Sequence, residues 1–463
     1  MAASTLERLR LIVRLRPHDT STVDGRSHER YRRMTLTIVA ALAARGVTLL
    51  TSLVSVPLTF RYLGAERYGL WMVLLSFISA MGFADLGIGN GVMNAVSEAY
   101  GKENRELARQ YVTSGFVLML AIASVLALAG AIAYPFLPWL RLFNVKSTPV
   151  AAEGARAFLV LFCWFVVNIP LDVITRAQAG LQRAYWSQMV SACGNILSLL
   201  GLILVIELRG SLAWLVFTST AGVVAATLCN GWILFRDCPW LLPSWHSFRG
   251  AAASKIFKLG LLFFILQFAG AVAYTSDNIV ITRVMGVAAV AIYAIPQKFF
   301  SFVSLLFNVG MTPMWPAYTE AAARGDVAWV RRAFRNSLSI SLGIAVPVCI
   351  FFALTGPWIV REVVSKSLPV PHSLYWALAL WTVVYTLTGI MSIMLNGLGI
   401  LKPQAFIGLI GSSINLALSI IFTIHLGVIG VCLGSIIGQL LIVLPFDVVV
   451  IRKAFRRMSS SSL

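Results

Sequence analysis

Stretches of about 20 predominantly apolar residues recur along the whole chain, each long enough to cross a bilayer as a helix. Roughly twelve such spans can be drawn, beginning near residues 35, 69, 112, 156, 187, 211, 257, 287, 334, 373, 404 and 427. Pro170 in the fourth and the Trp/Tyr-rich start at Tyr375 in the tenth blur the edges of those two. The pattern predicts an all-α polytopic membrane protein.

Polar residues inside the spans are not scattered. In the first, Arg45, Thr48, Ser52 and Ser55 fall at i, i+3, i+7 and i+10, one narrow helical face. In the eighth, Lys298, Ser301, Asn308 and Thr312 group within about 80°. In the seventh, Gln267, Tyr274 and Asn278 share a face with Asp277 beside them. Serines and threonines in such places often bond a carbonyl one turn back or let helices pack closely. Charges differ, because each costs about 2.5 to 3.5 kcal/mol near the bilayer centre. Arg45, Asp85, Asp277 and Lys298 therefore each call for a partner, a wet cavity or a function. Asp277 and Asp85 are read as ion-coupling groups or structural partners, with Lys298 the partner in reach of Asp277. Arg45 has no acidic neighbour at similar depth.

The second span ends in GFADLGIGNG, residues 82–91, where four glycines in ten residues signal either close helix packing or a gating bend. A continuous helix there would put Asp85 opposite Ser76, Ser79 and Asn90. Asn168, Asp172 and Arg176 recur every four residues at the cytoplasmic end of the fourth span. They read as a helix-end ion pair with a supporting amide, or as a cytoplasmic entry point for substrate.

The chain also matches itself at a fixed shift of 222 residues. RYLG at 61–64 meets RVMG at 283–286, EAYGKEN at 98–104 meets EAAARGD at 320–326, and Arg109 meets Arg331. The expectation is two parallel six-helix lobes with a central cleft. A basic cytoplasmic arm occupies 1–33, the N-lobe 34–235, a cytoplasmic linker 236–256, the C-lobe 257–451, and a basic tail 452–463. The linker carries Pro239 and Pro243, with Trp240 and Trp245 suited to the membrane interface.

Composition narrows the function. At 59% hydrophobic and 12% charged residues, a soluble globular protein is excluded. The formal net charge is +19, and with both termini cytoplasmic about 26 of the 37 basic residues lie on inner segments. The excess is thus a topology signal and an attraction to anionic membrane lipids, not to nucleic acid. The N-terminal LERLRLIVRLRP suits a basic amphipathic helix on the bilayer surface, and residues 1–33 lack the apolar core and cleavage site of a signal peptide. Six cysteines without a CxxC or Cys/His cluster suggest neither disulfides nor a metal site.

RYLGAERYGLWMVLLSFISAMGFADLGIGNG and DNIVITRVMGVAAVAIYAIPQK resemble the corresponding segments of Wzx-type polysaccharide transporters, the lipid-linked oligosaccharide flippases of the multidrug/oligosaccharidyl-lipid/polysaccharide exporter superfamily. The general plan covers residues 34–457, and Asp277, Gly286, and Tyr293 with Lys298 are its most specific points. The resemblance implies a flippase, not an enzyme, moving undecaprenyl-diphosphate-linked repeat units from the inner to the outer leaflet of the bacterial inner membrane. The product would be O-antigen, capsule or exopolysaccharide, and the partners the polymerase and chain-length proteins of that pathway. Arg45 and Lys298 match the family's cationic cavity, and Ser52, Asn278 and Asn308 complete the expected substrate-binding set. No cofactor is expected; the membrane potential, or a proton or sodium gradient, would drive transport. Lipid II flippases carry two further C-terminal spans absent here. A drug exporter of the same superfamily would handle organic cations, for which Arg45 and Lys298 are the wrong sign. A membrane glycan polymerase or ligase is a remote alternative, since the outer loops near 135–154 and 356–372 are short and His372 and His425 stand alone.

Overall fold

In lipid every backbone N–H and C=O must be satisfied within the segment, so apolar runs of this length become helices. The computed structural model describes residues 18–19, 21–80, 83–139, 148–364 and 370–460; the LERLRLIVRLRP segment lies outside them. The described residues contain eleven helices long and apolar enough to cross a membrane. The twelfth expected span, the second, is built in two pieces. Helix α1 (Val23–Ala80) runs through Gly64, whose φ of +70° kinks it, so that residues 65–80 form the first piece. After the turn at 83–87, α2 (Ile88–Gly101) forms the second. The chain continues as α3 (Arg105–Ala133), α4 (Thr148–Gly180), α5 (Ala184–Glu207) and α6 (Leu212–Asp237). Helix α4 passes through Pro170 without a break in its assignment.

Two compact units result, Met1–Leu261 and Leu262–Leu463, dividing inside α7 (Gly250–Met285) rather than at its start. The fold is all-α, with two lobes of six spans. The N-lobe core joins Val92 and Val96 of α2, Val112 of α3, Val173 and Ala177 of α4, and Ile256 at the start of α7. A second cluster packs Leu70 and Leu74 against Leu161, Leu202 and Leu215. The first helix begins at Val23, eleven residues ahead of the expected start of the lobe at 34. This stretch is held by ions: Glu29 accepts from Arg32 at 2.6 Å and Arg33 at 2.7 Å, and Arg33 also donates to the Tyr100 hydroxyl and the Leu181 carbonyl. Part of the basic arm is therefore lobe structure. The linker contains two single turns, Pro239–Leu241 and Trp245–Ser247; Arg109 donates to the Leu242 carbonyl at 3.0 Å, and the Arg105 guanidinium lies over the Trp240 ring.

In the C-lobe, α8 (Val287–Met311) and α9 (Met314–Ala323) are followed by α10 (Val327–Ile359), α11 (His372–Gly397), α12 (Leu401–Leu426), α13 (Ile429–Gly438) and α14 (Leu444–Ser460). A π-helical turn, Gln439–Val443, separates α13 from α14. The core here gathers Ile281, Tyr293, Phe300, Cys349, Leu378 and Val431. Tyr375 is fully buried and belongs to the core, whereas the adjacent Trp376 is exposed.

The repeat seen in the letters recurs in the geometry of each lobe. Gly64 and Gly286, related by the shift of 222, both hold positive φ at a helix–helix joint. Glu103 and Gly325 do the same one residue before a helix cap, where Asn104 accepts from the Leu107 N–H and Asp326 from the Trp329 N–H. The ion pairs Glu98–Lys102 and Glu320–Arg324 are likewise equivalent i,i+4 contacts.

Candidate functional site

Arg45 and Lys298 are both exposed and, among the described residues, neither side chain makes a hydrogen bond or ion pair. Around Arg45 the hydroxyl groups of the stripe turn inward on their own helix: Thr48 donates to the Ala44 carbonyl and Ser52 to Leu49. Asn195 on α5 donates to Thr48 at 2.9 Å, fixing that part of α1 against its neighbour. On α8, Ser301 donates to the carbonyl of Lys298 and Thr312 to that of Asn308, whose own amide donates to Ser304. Lys298, Ser301, Asn308 and Thr312 are all exposed. Bonding of this kind silences the hydroxyl protons and leaves the cations as the unneutralised groups on their faces. Asn278 is also exposed.

The alternative of an Asp277–Lys298 pair is not formed. Asp277 is buried, and the Tyr293 hydroxyl donates to its Oδ2 at 2.7 Å. Tyr293 occurs one helix on, where its fully buried ring can carry a donor into an apolar core; a lysine would have to bury its ammonium to do the same.

Asp85 has a different post from the one expected on a continuous helix. The helix is broken over 83–87, and Asp85 accepts from the N–H groups of Gly87 at 3.0 Å and Gly89 at 3.3 Å, capping α2. Asp172 and Arg176 pair at 2.8 Å, and the supporting amide comes from Asn90 at 2.7 Å, not from Asn168. Asp85 and Asn90 therefore converge on Arg176 instead of facing apart. Gly89 allows this: a Cβ there would come 2.8 Å from Arg176 Nε, 3.0 Å from Asp85 Oδ2 and 3.1 Å from Asp172 Oδ2. The glycine-rich stretch is both a break and a close-packed seam. The side chains of Ser76 and Ser79 lie outside the described residues.

Another polar site escaped the pattern reading. A C-lobe cavity of about 270 Å³ is lined by Gln404 of α12, Gln439 of the π-helical turn and Asp447 of α14, among others. Gln439 and Asp447 lie eight residues apart, within about 80° on a regular helix, which was the available signal. Among the described residues no group of three or more His, Cys, Asp and Glu side chains is placed to hold a metal.

Apolar helices in two repeated lobes, with exposed cations on polar helix faces, describe a polytopic membrane protein. The sequence profile of the polysaccharide biosynthesis protein family matches residues 37–322, and the chain belongs to that family. It is 21% identical over 420 residues to a Yersinia pseudotuberculosis protein named for O-antigen export, covering 89% of this chain and 95% of that one. A Salmonella typhimurium protein named as an O-antigen transporter is 23% identical over 407 residues, covering 83% and 89%. Among solved structures, a MATE transporter in its bent conformation superposes with a TM-score of 0.79 at 16% identity, covering 94% of this chain and 97% of that one. A superfamily transporter from Pyrococcus furiosus superposes with a TM-score of 0.75 at 16% identity, covering 93% and 96%. These likenesses establish the fold, and the family makes this a polysaccharide-related membrane transporter.

Proposed function

We propose that the protein flips undecaprenyl-diphosphate-linked oligosaccharide repeat units from the inner to the outer leaflet of the bacterial inner membrane, by alternating access, for synthesis of O-antigen, capsule or exopolysaccharide. One observation carries the reading: each lobe exposes a cation from an apolar span, Arg45 in one and Lys298 in the other, with no carboxylate bound to it among the described residues. A free cation inside a membrane is costly unless it meets water or an anion. A diphosphate bears roughly two negative charges and takes strong charge-assisted hydrogen bonds from guanidinium and ammonium groups. Ser52, Asn278 and Asn308 lie on exposed positions suited to the glycan. The relatives named for O-antigen transport support the same cargo. An organic-cation drug exporter is opposed by the sign of these charges.

Export of the diphosphate gains about 2.3 kcal/mol per charge per 100 mV, roughly 4 to 5 in all, so the potential suffices as driving force. Asp277 and Asp85 are engaged by Tyr293 and by the start of α2 and need carry no ion for this. The experiment is transfer of a fluorescent undecaprenyl-diphosphate oligosaccharide across proteoliposomes, comparing wild type with Arg45→Gln and Lys298→Gln at equal insertion. Loss in both variants is the expected result. Wild-type transport that neither substitution affects would remove the cations from the site, and absence of wild-type transport would remove the cargo.

A further inference from the structure

We propose that the paired ends of α10 and α14 form a specific site for the headgroup of an anionic phospholipid, built from two copies of one five-residue motif. Arg331-Arg332-Ala333-Phe334-Arg335 lies near the start of α10, and Arg452-Lys453-Ala454-Phe455-Arg456 near the end of α14. The pattern of Arg, Arg or Lys, Ala, Phe, Arg occurs nowhere else in the chain. On a helix the three cations of each copy fall within about 100°, with the phenylalanine beside them and the alanine on the far side. The packing follows that division. Ala333 is 1% exposed and Ala454 7%, so both alanines face the lobe interior. The Phe334 and Phe455 rings meet with centroids 6.4 Å apart, and the Arg331 guanidinium lies over the Phe455 ring at 5.3 Å. All six cations are exposed, and none pairs with a carboxylate among the described residues.

Residues 327–340 and 448–458 contain no acidic residue. The N-lobe differs at the corresponding places: α3 opens with Arg105, Glu106 and Arg109, and α6 ends in Arg236 and Asp237. A topology signal only counts Lys and Arg near the span ends, and needs neither a repeated motif nor contact between its copies. The depth of the patch selects a lipid. On α10 the exposed Ile340 stands about 7.5 Å along the axis from Arg335, and on α14 the exposed Val449 about 4.5 Å from Arg452. The cations thus begin where the apolar faces end, at headgroup level, with acyl chains able to lie along those faces. A guanidinium grips a phosphate through two parallel hydrogen bonds, and two basic rows joined at one aromatic contact offer such donors from both helices. A soluble acidic protein would have no use for the apolar border.

The site involves neither Arg45 nor Lys298 and its binding is read without glycolipid, so it stands or falls apart from the flippase reading. The test is titration of the purified full chain, in neutral detergent, with acyl-labelled fluorescent phosphatidylglycerol against phosphatidylcholine. Photoactivatable phosphatidylglycerol, followed by mass spectrometry of peptides, maps where the lipid sits. Wild type should bind phosphatidylglycerol saturably and in preference to phosphatidylcholine, with crosslinks on the peptides bearing 331–335 and 452–456. Neutralising either copy, as Arg331→Gln with Arg332→Gln and Arg335→Gln, or Arg452→Gln with Lys453→Gln and Arg456→Gln, should weaken binding about tenfold or more. The same loss of charge from exposed N-lobe positions, Arg105→Gln with Arg236→Gln and Lys258→Gln, should change it less than about twofold. Equal weakening by the N-lobe variant would mean diffuse attraction and overturn the site, as would the absence of a preference for phosphatidylglycerol in wild type. Displacement of the bound lipid by soluble polyglutamate at lower concentration than by phosphatidylglycerol itself would assign the face to an acidic protein and overturn it too. Should the motif variants fail to insert, the wild-type crosslink map decides alone: label confined to other peptides overturns the proposal.

Discussion

Tyr293 donates a 2.7 Å hydrogen bond to Oδ2 of Asp277, the carboxylate in reach of Lys298 along the sequence. Replacing Tyr293 by Phe would strip a buried carboxylate of that donor, and a loss of about 1 to 3 kcal/mol is expected. Lys298→Gln breaks no pair and should change stability by no more than about 0.5 kcal/mol. Thermal unfolding in detergent separates the two; a Lys298→Gln cost of about 3 to 5 kcal/mol would instead mark a buried ion pair.

Gly89 sits where Arg176, Asp85 and Asp172 close in on one backbone position. Gly89→Ala should destabilise the N-lobe by about 1 to 3 kcal/mol, because both ion-bearing segments must shift. Gly310 is the contrast: it lies inside α8 with no atom within 4 Å of a built Cβ. Gly310→Ala should stabilise by about 0.4 to 1 kcal/mol. Equal effects of the two, measured by chemical or thermal unfolding, would contradict the seam.

The equivalent ion pairs of the two lobes sit at different depths. Glu98 and Lys102 have side chains 30% and 51% exposed, whereas Glu320 and Arg324 are 4% and 19% exposed. Solvent screens the first pair, so Lys102→Gln should cost at most about 1 kcal/mol. Glu320→Gln removes a charge-assisted hydrogen bond largely out of water and should cost more, about 1.5 to 3 kcal/mol. Unfolding of the single variants orders them.

Cys238 in the linker gives a pH readout. Burial pushes its thiol above the usual value, while the Arg183 guanidinium, 3.8 Å from the sulfur, pulls it back. A raised thiol pKa means less thiolate at neutral pH, and the thiolate is the reactive form. Maleimide labelling of Cys238, followed by mass spectrometry, should still be accelerating at pH 9.0, and Arg183→Gln should slow it further. A rate that levels off below that pH would reverse the sign of the argument.

The spans, their doubling and the placing of Arg45 and Lys298 within spans were legible because hydropathy and helical period act locally, and lipid permits few other structures. Asp277 was visible as a buried charge, but its partner was not: Lys298 and Tyr293 lie on one helix, and only packing decides which reaches it. Asn90 and Arg176 meet across 86 residues, a relationship invisible to periodicity within either helix. Asp447 was overlooked for a different reason. It stands close to the basic end of the chain, where a charge looks like the edge of the bilayer, and its cavity exists only through convergence of several helices.

Gly64 and Gly286 each join two long helices through a single non-helical residue. Such a joint has only two soft dihedrals and no slack. Any change of angle between the two arms therefore falls on that one glycine and cannot be spread along a loop.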